Sequence, residues 1–167
     1  MPIQPPVLNI RAGLQHGDIG YIIYLHGLLY AEEYGFDTTF DGCVASGMGE
    51  FAQTYDPQKD CLWVAELDGE IVGSIAIVGQ PDGTARLRWF LVHPRARGCG
   101  FGRGLLECAL GFCRKRGFSS VFLWTLDNLD VAIHLYRAAG FRPTEEETHF
   151  IWGHTLTKVR YDLRLQP

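Results

Sequence analysis

Residues 90–106 read FLVHPRARGCGFGRGLL, and this stretch decides the fold. An apolar run ends at His93-Pro94, a short basic turn follows, and glycines then fall at every second position, at Gly98, Gly100, Gly102 and Gly104. The apolar-periodic segment 105–112 comes next. The pattern predicts a strand, a glycine-rich turn and a helix. Bare amides at a helix N-terminus beside arginines form an anion site, so we expect a phosphate-bearing ligand here.

The spacing of the glycines restricts the kind of ligand. A P-loop requires G-x-x-x-x-G-K-[ST], and the chain contains no Gly-Lys pair. A dinucleotide-binding turn requires G-x-G-x-x-G, and Arg103 stands where its last glycine belongs. A glycine-rich connection without a ligand is the alternative interpretation of this stretch alone. Cys99 fits a small residue in a tight loop better than a nucleophile, because no His or carboxylate is its sequence neighbour.

Length and composition indicate a single domain over residues 1–167. The chain is 47% hydrophobic and carries a net charge of −4, which predicts no nucleic-acid partner. It contains no run of about 18 apolar residues. Its N-terminus lacks the basic and apolar regions of a signal peptide, so we expect a cytoplasmic protein without a membrane partner. The five cysteines include no C-x-x-C, and we expect reduced thiols and no metal site.

Hydrophobic periodicity and turn residues predict the order β-α-α-β-β-β-α-β-α-β-β. Asp18 is the expected cap of the first helix, and Asp37-Thr38-Thr39 is the expected N-cap cluster of the second. The fifth strand is apolar at its centre, which predicts burial on both faces. The fourth and fifth strands are joined through a helix, so this pair should be parallel within a mixed α/β sheet that has helices on both faces. The predicted strands are 7–11, 61–67, 71–78, 85–92, 120–125, 142–152 and 155–165, and the predicted helices are 19–34, 40–55, 100–115 and 127–139.

Two segments point to a family. Arg97-x-x-Gly100-x-Gly102 resembles the acyl-CoA signature R/Q-x-x-G-x-G/A of the GNAT superfamily of N-acetyltransferases, and residues 132–141, AIHLYRAAGF, resemble its second signature, A-I-x-L-Y-x-x-x-G-F. The segments 26–35, 145–149 and 152–156 are most similar to the acetyltransferase half of MarR-type repressor/acetyltransferase fusions. The chain resembles a free-standing version of that half, without the winged helix-turn-helix part.

The resemblance implies the GNAT fold, with acetyl-CoA in a cleft where strands four and five splay apart. It implies an amine that attacks the thioester carbonyl, a strand-four N–H that stabilises the oxyanion, and Tyr136 as the general acid that protonates the departing thiolate. Tyr136 also fits the apolar stripe of its helix as a core aromatic residue. The implied cofactor-binding residues are Leu91, Val92, Arg97, Gly98, Cys99, Gly100, Phe101, Gly102, Arg103 and Asn128.

The chain departs from the family pattern in two places. Many relatives carry a carboxylate base on the fourth strand, where this chain has Arg86 and Arg88 on one face. Arg88 either binds a carboxylate of the acceptor or pairs with a surface acid. The family's asparagine before the second signature corresponds in position to Leu129, one residue after Asn128. The other candidates for a base or an acceptor contact are Glu32, Glu33 and His149, and a water chain is an alternative.

Two functions follow from the sequence. The first is an N-acetyltransferase acting on a primary amine, and the alternative is a non-catalytic acyl-CoA-binding regulatory module. The acceptor remains open among small amines, amino acids, polyamines, aminoglycosides and protein amines. The chain could also form a homodimer.

Overall fold

The computed structural model describes residues 6–167. The element order agrees with the expected one, with a short 3-10 turn added at Pro94–Ala96. The strands are β1 (Leu8–Ala12), β2 (Cys61–Leu67), β3 (Glu70–Gly79), β4 (Ala85–Val92), β5 (Ser120–Leu126), β6 (Arg142–Ile151) and β7 (His154–Arg164), and the helices are α1 (Asp18–Tyr34), α2 (Thr38–Gln53), α3 (Phe101–Arg116) and α4 (Asp130–Ala138).

The strands form one sheet in the order β1-β2-β3-β4-β5-β7-β6. Neighbouring strands are antiparallel except β4 and β5, which are parallel as the sequence predicts. One core lies between the sheet and α3, around Leu105 and Phe141. A second core lies on the opposite face under α1 and α2, around Ile22 and Met48. The expected mixed sheet with helices on both faces is therefore confirmed.

The two expected helix caps have different outcomes. Asp37 caps α2, because its carboxylate accepts a hydrogen bond from the Thr39 backbone N–H at 3.0 Å. The prediction that Asp18 caps α1 was wrong, since the N-cap is Gly17 at φ 88. The Asp18 carboxylate binds both terminal nitrogens of Arg11 instead, at 2.7 and 3.0 Å, and this ion pair fastens α1 to β1.

The prediction that β5 is buried on both faces was also wrong. Val121 and Leu123 are buried, whereas Phe122 and Trp124 on the other face are only partly buried. Long cationic side chains, among them Arg160 at 4.2 Å from the Phe122 ring centroid, cover this face in place of a helix. Among residues 6–167, no helix combines the length and the apolar character needed to cross a membrane.

Candidate active site

The strands β4 and β5 separate after a short paired segment. They pair only at Ala85 with Val121 and at Arg86 with Phe122, while β5 pairs with β7 over its whole length. Two cavities lie along the gap, one of about 530 Å³ beside the glycine-rich turn and one of about 230 Å³ beside α2. The two cavities meet at four shared residues, Tyr30, Phe90, Leu129 and Ala132. The gap is thus one cleft with a larger and a smaller end.

A bulge in β4 explains why the strands separate. The pairing of β4 with β3 shifts between Ser74 and Ala76, opposite Trp89, which has φ 51. A left-handed conformation is unusual for a bulky residue and persists only where its surroundings hold it. The Ser74 hydroxyl donates to the Trp89 carbonyl at 2.7 Å, and the indole packs on Phe51. An extra residue bends its strand, so β4, whose last pair with β5 is Arg86 with Phe122, diverges further from β5 beyond Trp89.

Hydrogen-bond alternation shows which backbone groups of β4 face the gap. The His93 N–H donates to the Val72 carbonyl at 2.6 Å, so at a spacing of two residues Leu91 also directs its backbone groups toward β3. Phe90 and Val92 then direct theirs toward the gap. Of the two β4 residues named from the sequence, Val92 therefore offers backbone groups to the cleft, whereas Leu91 packs its side chain against α1.

The glycine-rich turn presents free amides to the larger cavity. Gly98 and Gly100 have φ 78 and 83, a left-handed conformation that favours glycine. The Gly104 N–H donates to the Gly100 carbonyl at 2.9 Å and is the first of the helix, so the amides of residues 101–103 lack an intrahelical partner. The dipole of α3 adds partial positive charge at the same point. This end of the cleft is therefore built for an anion.

The larger cavity brings together most of the cofactor-binding residues named from the sequence. Cys99 is exposed and lies outside it. The named residues that line it are Leu91, Val92, Arg97, Gly98, Gly100, Phe101, Gly102, Arg103 and Asn128.

The two arginines that line the larger cavity, Arg97 and Arg103, are both paired with carboxylates. Arg97 donates to the two carboxylate oxygens of Glu33 at 2.7 and 3.0 Å and to the Val92 carbonyl at 3.2 Å. The hydrogen bond to Glu33 raises the pKa of Arg97. Arg103 pairs with Glu107 and is 80% exposed. Glu33 therefore lies at the larger cavity, where it ties α1 to the turn, whereas Glu32 is exposed and lines neither cavity.

Tyr136 lies on α4 where the cleft narrows. Its side chain lines the smaller cavity, with its ring centroid 5.8 Å from those of Phe90 and Phe141. Burial raises the pKa of the Tyr136 phenol, so the group is protonated at neutral pH. Tyr30 from α1 borders both cavities, and burial raises the pKa of its phenol as well.

The smaller cavity has a cationic wall. Arg86 and Arg88 line it together, as strand alternation predicts, and Lys158 from β7 joins them. Burial, reinforced by repulsion from Arg86, lowers the pKa of Arg88 to about 10. No ion pair joins either arginine to a carboxylate within residues 6–167, so the interpretation that they pair with surface acids finds no support there.

His26 is a lining residue of the smaller cavity that sequence reasoning missed. Its Nδ1 lies 2.8 Å from the Ile22 carbonyl, and because a carbonyl only accepts, Nδ1 carries the proton and Nε2 is left as an acceptor. Burial lowers the pKa of His26 to about 4. The available signal was a histidine inside the apolar run of α1. His149, by contrast, lies exposed on β6 beside Glu147 and lines neither cavity.

Residues 6–167 contain no group of three His, Cys, Asp or Glu side chains that could hold a metal ion.

Comparison of the sequence with known families and proteins gives consistent matches. The model of the acetyltransferase (GNAT) family matches residues 28–141. An uncharacterised N-acetyltransferase of Schizosaccharomyces pombe is 32% identical over 123 residues, which cover 72% of this chain and 74% of that protein. The N-acetylaspartate synthetase of Rattus norvegicus is 34% identical over 106 residues, which cover 62% of this chain and 36% of the synthetase. The chain thus matches only about a third of the synthetase.

Solved structures share the fold at low sequence identity. A GNAT-family acetyltransferase from Staphylococcus aureus superposes with a TM-score of 0.77 at 18% identity, covering 96% of this chain and 100% of that one. An acetyltransferase from Salmonella typhimurium, solved with its cofactor acetyl-CoA, superposes with a TM-score of 0.73 at 17% identity, covering 96% and 95%.

Proposed function

The chain belongs to the GNAT acetyltransferase family, and from that premise we propose that it transfers an acetyl group from acetyl-CoA to a primary amine by direct attack on the thioester, with Tyr136 as the general acid. The observation that carries the proposal is the single cleft, which joins an anion-binding turn at one end to a tyrosine-lined cavity at the other. Acetyl-CoA, when bound, supplies the activated acetyl carbonyl.

The residues of the larger cavity fit acetyl-CoA. The partnerless amides of residues 101–103 suit its pyrophosphate, and a Cβ added at Gly98 or Gly100 would meet no atom within 4 Å, so the surface above these glycines is open. The gap-facing backbone groups of Phe90 and Val92 suit the amides of its pantetheine arm. An N–H of β4 is our candidate for stabilising the oxyanion. Asn128 borders the same cavity and is proposed as a further contact.

Tyr136 is suited to hold a proton until the leaving group needs it. In the transfer, the N–C bond forms, the C–S bond breaks and the sulfur takes the phenolic proton, while the amine releases a proton that water passes back to the Tyr136 phenolate. The buried phenol stays protonated at neutral pH because burial raises its pKa. A thiolate formed in the same cavity is also desolvated, which raises its own pKa and keeps the proton transfer feasible.

The cationic wall reduces the need for a carboxylate base. Arg86, Arg88 and Lys158 disfavour a positive charge in the smaller cavity, so an amine there is held in its neutral, nucleophilic form. A water chain can then carry the amine proton away. Glu33 lines the larger cavity only and is kept as a base candidate at that position. The proposal does not rely on Glu32 or His149.

An amino acid is the acceptor class that we propose, with Arg88 on its carboxylate. The rat relative is named for making N-acetylaspartate, which agrees with such an acceptor. Further proposals are a closer relation to the MarR-type fusions, a cytoplasmic location and a homodimer, the last testable by light scattering.

The test measures thiol release from acetyl-CoA with a panel of amines, and acetyl-CoA binding by calorimetry. Tyr136→Phe should lower kcat by about 10²- to 10⁴-fold, because it removes the general acid, and should leave acetyl-CoA binding intact. Tyr24→Phe, at a tyrosine that is 59% exposed, is the control and should be silent. Full activity of Tyr136→Phe would remove Tyr136 from the mechanism.

A non-catalytic acyl-CoA-binding module is kept as a second candidate, because no Asp or Glu lines the smaller cavity. Tight acetyl-CoA binding with no thiol release on any amine would favour the module.

A further inference from the structure

The positive charge of the smaller cavity does not suit an amine that carries no acidic group. Three cationic side chains line it, Arg86, Arg88 and Lys158, and no carboxylate does. The remaining wall is largely apolar and aromatic, including Phe40, Leu123 and Trp152. Arg86, Arg88 and Lys158 are each partly buried, so charges beside them interact more strongly than in bulk water.

The hydrogen-bonding capacity of these cations is largely unused. The Nε of Arg86 is buried and has no hydrogen-bond partner within residues 6–167. The guanidinium of Arg88 lies 4.3 Å from the Trp89 ring centroid, and the Lys158 ammonium lies 5.5 Å from that of Trp124. Stacking on a ring leaves the edge N–H groups free to donate. Donors that line a cavity and take part in no hydrogen bond or ion pair within residues 6–167 are available to a ligand.

Arg160 provides a contrast on the same face of the sheet. It stacks on Phe122 at 4.2 Å, and its Nε and one terminal nitrogen bind the two carboxylate oxygens of Asp162 at 3.0 and 2.9 Å. Arg160 does not line the smaller cavity. The open donors of Arg86 and Arg88 are therefore specific to the cavity and not a general property of this face.

We propose that the acceptor is a small amine carrying two carboxylates, one bound by Arg86 and the other by Arg88. Residues two apart on one strand face are about 7 Å apart, which suits two carboxylates separated by a short carbon chain. A guanidinium matches one carboxylate in a two-bond fork, so two arginines match two. The assignment rests on the proposed acetyl transfer and excludes polyamines and aminoglycosides, whose several positive charges this cavity repels.

The test compares acceptors that differ only in charge. Aspartate and glutamate are measured against asparagine and glutamine, which keep the shape and lose one carboxylate, and against β-alanine. The specificity constant kcat/KM should favour the dicarboxylate over its amide by about 10- to 100-fold, the value of a charge-assisted hydrogen bond. Arg86→Gln and Arg88→Gln should each abolish that preference and leave the KM for acetyl-CoA unchanged. Arg160→Gln is the matched control and should keep it.

The outcomes separate this inference from the proposed function. Equal turnover of dicarboxylates and their amides overturns the inference while transferase activity stands. If no amine is turned over, calorimetry with glutamate in the presence of CoA decides. Binding that is lost in Arg86→Gln and kept in Arg160→Gln supports the dicarboxylate site even if the proposed chemistry fails, and absence of binding overturns the inference.

Discussion

Replacing His26 should change how the stability of the fold depends on pH. His26 is 3% exposed, and burial lowers its pKa from 6.5 to about 4. Because the folded-state pKa lies below the unfolded-state value, protonation is penalised only in the folded protein. The stabilisation from a neutral His26 is therefore fully present above about pH 6.5 and is lost as the pH falls toward about 4.

The size of the effect follows from the two pKa values. Between about pH 7.5 and about pH 5, His26 alone should remove about 2 kcal/mol from the free energy of unfolding, and about 3 kcal/mol in the acid limit. For a chain of this size, a loss of 2 kcal/mol lowers Tm by about 4–8 °C. No other pKa enters the comparison between variants, provided that the remaining groups keep their surroundings.

The assay is urea unfolding of wild type and His26→Gln across this pH range. The variant cannot titrate at residue 26, so its stability should fall less on acidification, and the difference between the two proteins should shrink by about 2 kcal/mol between about pH 7.5 and about pH 5. His16→Gln, at an exposed histidine, is the control and should track wild type. Parallel curves for wild type and His26→Gln would refute the reasoning.

Three further variants concern Glu33 and two glycines of α3, Gly102 and Gly111. Glu33→Gln should tighten acetyl-CoA binding by about 2- to 5-fold in calorimetry without changing kcat, because it frees Arg97 from a half-exposed ion pair. A fall in kcat of about 100-fold would instead identify Glu33 as the base. Glu70→Gln is the control, because its partner Arg95 does not line the larger cavity. Gly111→Ala should raise the free energy of unfolding by about 0.5–1 kcal/mol, since its Cβ meets open space within α3. Gly102→Ala should gain less and weaken acetyl-CoA binding, because its Cβ would lie 3.1 Å from Leu135 Cδ1 at the cavity wall; an equal gain without loss of binding would contradict this.

The glycine-rich turn beside the larger cavity was largely readable from the sequence, because the residues that form it are neighbours in the chain. Gly98 and Gly100 adopt left-handed conformations that favour glycine, and the helix that follows them provides the free amides. The spacing within residues 97–102 therefore predicts the position of the turn. The sequence did not predict the ion pair between Arg97 and Glu33, because Glu33 lies far away in the chain, on α1.

The smaller cavity was readable only in part, through Arg86 and Arg88 on one face of β4, because distant segments build the rest of it. Arg86 lies on β4, His26 on α1 and Lys158 on β7, and only the folded sheet brings them to one cavity. Asp18 failed as a cap for the same kind of reason, since Arg11 from β1 competes for its carboxylate. The local sequence pattern does not show which of several partners will bind a given carboxylate in the folded chain.

The bulge at Trp89 makes β4 a strand of two halves. Before it, the even-numbered Arg86 and Arg88 face the α2 side, and after it, the even-numbered Phe90 and Val92 face the α3 side. Under the proposed function, the first half of β4 therefore faces the acceptor and the second half faces acetyl-CoA. Under that proposal, acceptor preference should change when Arg86 and Arg88 are replaced together, whereas deleting one residue at the bulge should turn every β4 side chain beyond it to the opposite face of the sheet.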